Sequence, residues 1–188
     1  MTPGATQSRV KSLQRRKAGR ILLAAAALTG LLLVAATSGG FRINMTPSEP
    51  LGLWRIVTLD RPPVVGDLVF ICPPDTEAMR AARLRGYLRS GLCPGGLAPL
   101  IKTVIATSGQ SVEIESHVRV DGVLIASSAM ARSDGKGRSL SPFAGGTIPA
   151  DTVFLYSSFV GSYDSRYFGP LPVSGILGLA QEVLTYAP

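Results

Sequence analysis

Pro99-Leu100-Ile101-Lys102-Thr103-Val104-Ile105-Ala106 is an apolar run of strand length interrupted by a single charge. A lysine in such company has two readings. In one, its stem packs at a strand edge while the ammonium snorkels to water. In the other, the ammonium is desolvated, which disfavours the charged form and can lower its pKa by several units toward neutrality, making a base of it. Upstream, Thr46-Pro47-Ser48-Glu49-Pro50 offers a matching nucleophile, because a serine hydroxyl is weak at neutral pH and needs a neighbouring base to take its proton. Most serine hydrolases use histidine. Here the one histidine, His117, lies in the charged alternating stretch Glu113-Ile114-Glu115-Ser116-His117-Val118, which reads as a strand face or hairpin edge. The other lysine beyond residue 41, Lys136, sits in Ser133-Asp134-Gly135-Lys136-Gly137-Arg138, a solvated loop by composition.

The pair lies downstream of an expected membrane anchor. Arg9, Lys11, Arg15, Arg16, Lys17 and Arg20 precede an uncharged Leu/Ala-rich stretch from Ile21 to Phe41, closed by Arg42. One crossing needs roughly 20 apolar residues. The basic flank then places residues 1–20 in the cytoplasm and residues 42–188 outside. A cleaved signal peptide is the competing reading, with Val34-Ala35-Ala36 as its small-residue site, but its apolar core would normally span only ~7–15 residues. The net positive charge does not imply nucleic acid. Six of the 19 basic residues precede the apolar stretch, leaving 13 against 12 acidic residues in the rest. A local acidic contact near Arg80, Arg83, Arg85 and Arg89 remains open.

Cys72 and Cys93 are the only cysteines. In an oxidising compartment they are expected to be bridged. No cofactor or metal is expected, since two cysteines without a nearby histidine or third cysteine make a poor zinc site. The bridge closes a loop of about 20 residues, worth roughly 3 kcal/mol in the chain-entropy model. Within residues 72–93, Asp75 or Thr76 would cap a short helix through Met79, Ala82 and Leu88, with Gly91 ending it. That loop reads equally as a stapled surface excursion or a substrate-recognition lid.

Most of the remaining chain reads as strands. Leu68–Ile71 follows the turn signal Gly66-Asp67, and Ser111–Ile114, Val118–Val120 and Val123–Ile125 alternate or run apolar, with Asp121-Gly122 as a two-residue hairpin turn. Thr152–Tyr156 and Gly175–Ala180 complete the set, and Ala131–Gly146 reads as a long loop. The fold class expected is mainly β: one β-rich catalytic domain behind one N-terminal transmembrane helix.

Four boxes in order then carry a family resemblance. Asn44-x-Thr46-x-Ser48-x-Pro50-x-Gly52-Leu53 resembles the nucleophile box of the conjugative-transfer (TraF-type) branch of the membrane-bound type I signal peptidases. Gly66-Asp67-Leu68-Val69 is similar to the following strand box, and Lys102-Thr103-Val104-Ile105-Ala106 with Gly109 and Val112 to the general-base box. Ser162-Tyr163-Asp164-Ser165-Arg166-Tyr167-Phe168-Gly169 resembles the closing box, and Arg85-Gly86-Tyr87-Leu88 with Cys93-Pro94-Gly95-Gly96 is typical of that branch.

The resemblance implies a serine endopeptidase in which Ser48 attacks and Lys102 is general base. Ser162 would orient the lysine, the Ser48 N–H and Thr46 hydroxyl would form the oxyanion hole, and Asp164 with Arg166 would form a supporting ion pair. It implies an inner-membrane, periplasm-facing enzyme whose partner is an exported precursor, the pilin of a conjugative or type IV secretion system, with ring closure of the product as a further outcome. Departures from the wider family lie in Ser48-Glu49-Pro50-Leu51-Gly52-Leu53, in Thr103 where an arginine is usual, and in Ser157-Ser158-Phe159-Val160-Gly161. They weigh against a general leader peptidase. That reading, a non-catalytic anchored assembly factor and a DNA-contacting transfer factor are the alternatives. Leu51, Leu53 and Trp54 suit either a membrane interface or the domain core.

Overall fold

The computed structural model describes residues 4–187, with the side chains of 4–15, 32, 33, 36 and 37 outside the description. The chain divides into two compact units, Met1–Phe41 and Arg42–Pro188. In the first, helix α1 (Gly4–Ser38) runs through both the basic stretch and most of the apolar one, with no break at Ile21. Ile21, Leu22, Leu23, Leu28 and Leu31 are exposed along it. Among the described residues no helix is long and apolar enough to cross a membrane. The expected anchor includes Leu32, Leu33, Ala36 and Thr37, and its basic flank includes Arg9, Lys11 and Arg15, all with side chains outside the described set.

The second unit is mainly β. In chain order its strands are β1 (Phe41–Asn44), β2 (Leu51–Val57), β3 (Leu68–Ile71), β4 (Ser90–Cys93), β5 (Leu100–Thr107), β6 (Ser111–Ile114), β7 (Val118–Val120), β8 (Val123–Leu124), β9 (Gly146–Thr147), β10 (Thr152–Tyr156), β11 (Leu171–Pro172) and β12 (Ile176–Tyr186). Helix α2 (Glu77–Leu84) follows β3 and the short helix α3 (Ser165–Phe168) follows β10. A seven-stranded sheet has the order β1-β2-β12-β3-β5-β10-β11, and a four-stranded sheet the order β8-β7-β6-β9.

Strand β3 and most of β5 and β10 are apolar because both of their faces are covered. Successive side chains in a strand point to opposite faces. Thus Val153 and Leu155 of β10 join a core with Val69, Val104 and α2's Met79 and Ala82, while Phe154 and Tyr156 join a second core with Val112, Val118 and Val120 of the small sheet. The alternation breaks once in β5. Phe154 faces Ala106 and Leu155 faces Val104, so Ile105 is an extra residue opposite no partner, a β-bulge that puts both Ile105 and Ala106 on the second core.

Several local expectations change. Thr76 is the α2 N-cap, its hydroxyl accepting from the Met79 N–H at 3.3 Å, and Asp75 instead pairs with Arg80 at 2.6 Å. The helix stops at Arg85 because Gly86 follows in the left-handed region at φ 85°, and Gly91, expected to end it, lies inside β4. The last strand starts at Ile176 and runs on to Tyr186, since β2 continues to pair with it there. Asp121 and Gly122 both have positive φ, as a type I′ hairpin turn requires. Trp54 is fully buried, which settles its placement in favour of the core, while Leu51 and Leu53 are half-buried. Cys72 and Cys93 are disulfide-bonded, clamping α2 and Tyr87 against the first core.

Candidate active site

The turn between β1 and β2 carries Ser48, and its shape is held by one side chain. Asn44, the last residue of β1, is buried. Its Oδ1 accepts from the Thr46 N–H at 3.0 Å and the Thr46 hydroxyl at 2.7 Å. Its Nδ2 donates to the carbonyls of Thr46, Glu49 and Pro50 at 2.9, 2.9 and 3.0 Å. Carbonyls only accept, so this orientation of the amide is the one the partners require. The Pro50 carbonyl also accepts from Trp54 Nε1 at 2.9 Å, anchoring the turn to the core. Gly52 follows at φ 130°, where a Cβ would meet the Leu184 carbonyl oxygen at 2.2 Å; only glycine lets β12 run this close.

Lys102 is 4% exposed. It pairs with Val69 of β3 in the ladder, and its alternation with Val104 aims it at the same face as the first core. On its other side the register Tyr156↔Thr103, continued by one residue, sets Ser157 opposite Lys102. The Ser157 hydroxyl donates to the Ser48 carbonyl at 2.5 Å. The Ser48 turn is thereby fastened to the end of β10, beside the lysine. Burial lowers the Lys102 pKa to about 8, with the carboxylates of Asp164 and Glu49 resisting and the Arg166 guanidinium assisting. Glu49, half-buried in turn, has its pKa raised by desolvation, against the pull of Lys102. A lysine near 8 is close enough to neutral pH for a useful fraction to be the free amine.

The closing box is built on a different principle. Asp164 and Arg166 are fully buried and bond in fork fashion, Nε to Oδ1 and Nη2 to Oδ2, both at 2.8 Å. Asp164 also caps α3, accepting from the Arg166 N–H, and accepts from the Ser157 N–H, both at 3.2 Å. The remaining guanidinium protons reach the Ala129 carbonyl at 3.0 Å, the Ser162 carbonyl at 3.3 Å and the Ser157 carbonyl at 3.4 Å. The ion pair therefore sets the backbone of both Ser157 and Ser162. The Ser162 hydroxyl is buried and, among the described residues, without a hydrogen-bond partner, an arrangement costly enough to call for a role.

Ser48, Lys102, Ser162, Asp164 and Arg166 are thus joined through Ser157, Glu49 and the Arg166 guanidinium. Thr46 lies in the same turn, but its hydroxyl proton is given to Asn44 and is not presented to a substrate oxygen. His117 is exposed between β6 and β7, with Ser116 as its side-chain partner, and Lys136 is exposed in the Ala131–Gly146 loop. No group of side chains among the described residues could hold a metal ion. Sequence reasoning gave no role to Asn44, Glu49 or Ser157. The available signals were an amide ahead of a Pro-x-x-Pro turn, an acid beside the candidate nucleophile, and a serine at the end of an apolar strand.

Comparison with known proteins identifies the family. The family described as signal peptidase, peptidase S26, matches residues 15–185. A probable conjugal transfer protein TraF of Sinorhizobium fredii (strain NBRC 101917 / NGR234) is 64% identical over 183 residues, 95% of this chain and 97% of that protein. A conjugal transfer protein TraF of Agrobacterium tumefaciens (strain 15955) is 54% identical over 176 residues, 94% of this chain and all of that protein (100%). A signal peptidase I structure from Enterococcus faecalis V583 aligns with 63% of this chain and 97% of its own, at 18% identity and a TM-score of 0.39. The chain belongs to the signal peptidase family, peptidase S26, and is a serine endopeptidase.

Proposed function

We propose that the chain is a membrane-anchored Ser48/Lys102 endopeptidase of a conjugative transfer system, cleaving an exported precursor, the pilin, close to the membrane. The observation that carries the dyad is a buried lysine on β5 with its pKa lowered to about 8, beside the end of β10 to which the Ser48 turn is fastened. The relatives named as conjugal transfer proteins support the setting. The apolar side chains left uncovered along α1 favour a lipid environment for residues 21–41, with the basic residues 1–20 cytoplasmic and the domain from Arg42 periplasmic.

In this reading the neutral Lys102 amine takes the Ser48 proton as Oγ attacks the scissile carbonyl. Lys102 then returns the proton to the leaving amine, and an acyl-enzyme on Ser48 remains. The unpartnered Ser162 hydroxyl orients the lysine, accepting from its amine, and the Asp164–Arg166 pair fixes the backbone that carries it. The Ser48 N–H and the Thr46 hydroxyl stabilise the oxyanion, the latter after exchanging its bond to Asn44. Water resolves the acyl-enzyme to a linear product. An amino terminus resolves it to a ring.

Co-expressing a pilin precursor with wild-type, Ser48→Ala and Lys102→Arg proteins tests this, with product mass as the readout. Both variants should lose cleavage, since a guanidinium stays protonated and cannot act as base. A product one water lighter than the linear peptide marks cyclisation. Cleavage retained in Lys102→Arg would sink the dyad. Full pilus assembly with Ser48→Ala would indicate a non-catalytic assembly role.

A further inference from the structure

A cavity of about 590 Å³ opens beside the closing box, walled by the chain after α2, the Ala131–Gly146 loop and the residues Val160–Tyr163. Aromatic rings form much of it. Tyr163 packs on Tyr87 with centroids 4.7 Å apart and stacks parallel on Tyr167 at 5.6 Å. Above this stack the charges are unequal. Asp134 is the cavity's one acid, and it is satisfied from within: the Tyr87 hydroxyl and Arg138 Nε each donate to Oδ2 at 2.6 Å. Arg138 also donates to the Arg85 carbonyl and lies over the Tyr87 ring, so its charge is spoken for. Arg85 and Lys136 remain. Arg85 makes one long bond, to the Ser139 carbonyl at 3.3 Å, and among the described residues neither cation pairs with a carboxylate.

Ser162, whose buried hydroxyl lacks a partner, stands in the same wall. Its carbonyl shares the Arg166 guanidinium with the Ser157 carbonyl, and Ser157 holds the Ser48 carbonyl, so the cavity adjoins the candidate dyad through a short chain of bonds. We propose that this cavity is a binding site for a carboxylate-bearing segment of the precursor, its apolar body lying on the tyrosine stack and its carboxylate meeting Arg85 and Lys136. The carboxylate belongs either to an acidic side chain near the cleaved bond or to a free carboxy terminus. The proposal rests on the peptidase reading for its choice of occupant. The net charge and the aromatic floor are independent of that reading.

The test uses the full-length Ser48→Ala protein in detergent and fluorescently labelled peptides spanning the cleavage site, read by anisotropy. Of three peptides, one has a free carboxy terminus, one is amidated but carries an internal Glu, and one is amidated with Gln in place of that Glu. Binding of the anionic peptides should weaken roughly tenfold in Arg85→Glu/Lys136→Glu and with added salt, while the neutral peptide is unaffected. Which anionic peptide responds identifies the source of the carboxylate. Undiminished affinity of the charge-reversed protein for both anionic peptides, or an equal loss for the neutral one, overturns the site. Should the charge-reversed protein melt early by circular dichroism, Arg85→Gln/Lys136→Gln decides the matter in the same assay. Wild-type protein and an Arg85→Glu/Lys136→Glu protein with Ser48 intact, tested on the whole precursor, separate the two failures, since absent cleavage by the wild type strikes the peptidase reading and equal cleavage by both strikes only the cavity.

Discussion

The two sides of the site are held by opposite means. The Ser48 turn hangs on a neutral amide, Asn44, and on single hydrogen bonds from Trp54 and Ser157, and it is partly open to solvent. The closing box is locked by an ion pair with no exposure at all. A neutral clasp gives up little when a bond is exchanged, which suits the exchange proposed for the Thr46 hydroxyl. A buried fork cannot be half-broken, because either charge left alone in the interior is heavily penalised. The turn that carries the proposed nucleophile is thus adjustable and the frame for the proposed base is fixed.

Arg166→Ala should break the domain most severely. It leaves Asp164 buried and unpaired, which typically costs about 3–5 kcal/mol, read as a fall in the urea midpoint of the protein. Next in size is Lys102→Met, which should abolish cleavage while stabilising the fold by up to about 3 kcal/mol at pH 7. The sign follows from a folded pKa of about 8 against an ordinary value of 10.5. Between those pH values the folded wild type binds fewer protons than the unfolded chain, so its stability rises with pH and the advantage of methionine shrinks. Urea melts at pH 7 and pH 9.5 would show a gain that does not shrink if Lys102 is not desolvated. By the same ionisation, cleavage by the wild type should climb as pH passes through 8. Asn44→Ala is the mildest, costing about 1–3 kcal/mol for the stranded carbonyls, with a loss of kcat larger than any change in KM. If it unfolds the domain as badly as Arg166→Ala, the contrast between clasp and lock collapses.

Legibility followed local physics. The strands β3, β6, β7 and β10 were readable because alternating or continuous apolar runs ended in glycine, proline or Asp-Gly turns. Strand β2 was not, since Leu51-Gly52-Leu53-Trp54 carries a glycine and an aromatic that fit an interface as well as a core; its place depends on β12, distant in sequence. The end of α2 was misplaced because Gly86 and Gly91 are equally good stops in sequence; Gly86 takes the left-handed conformation that ends the helix, and Gly91 lies in β4, which bridges Leu97. Ser48, Lys102 and Ser162 were named from residue type and resemblance. Asn44, Glu49 and Ser157, though quoted in the boxes and departures, carried no role, because what an amide, an acid or a hydroxyl touches is set by how a turn closes, not by its neighbours in the chain.

Trp54 is the only tryptophan in the sequence, fully buried, and its indole proton is bonded to the carbonyl of Pro50 at 2.9 Å, two residues beyond Ser48. The chain thus carries a single indole fluorophore, hydrogen-bonded to the Ser48 turn. Emission excited on the red edge of protein absorbance therefore comes from a single known position, without labelling or subtraction. Substrate docking that shifts the turn should move its wavelength or lifetime, giving a stopped-flow signal for binding separate from the chemistry that follows.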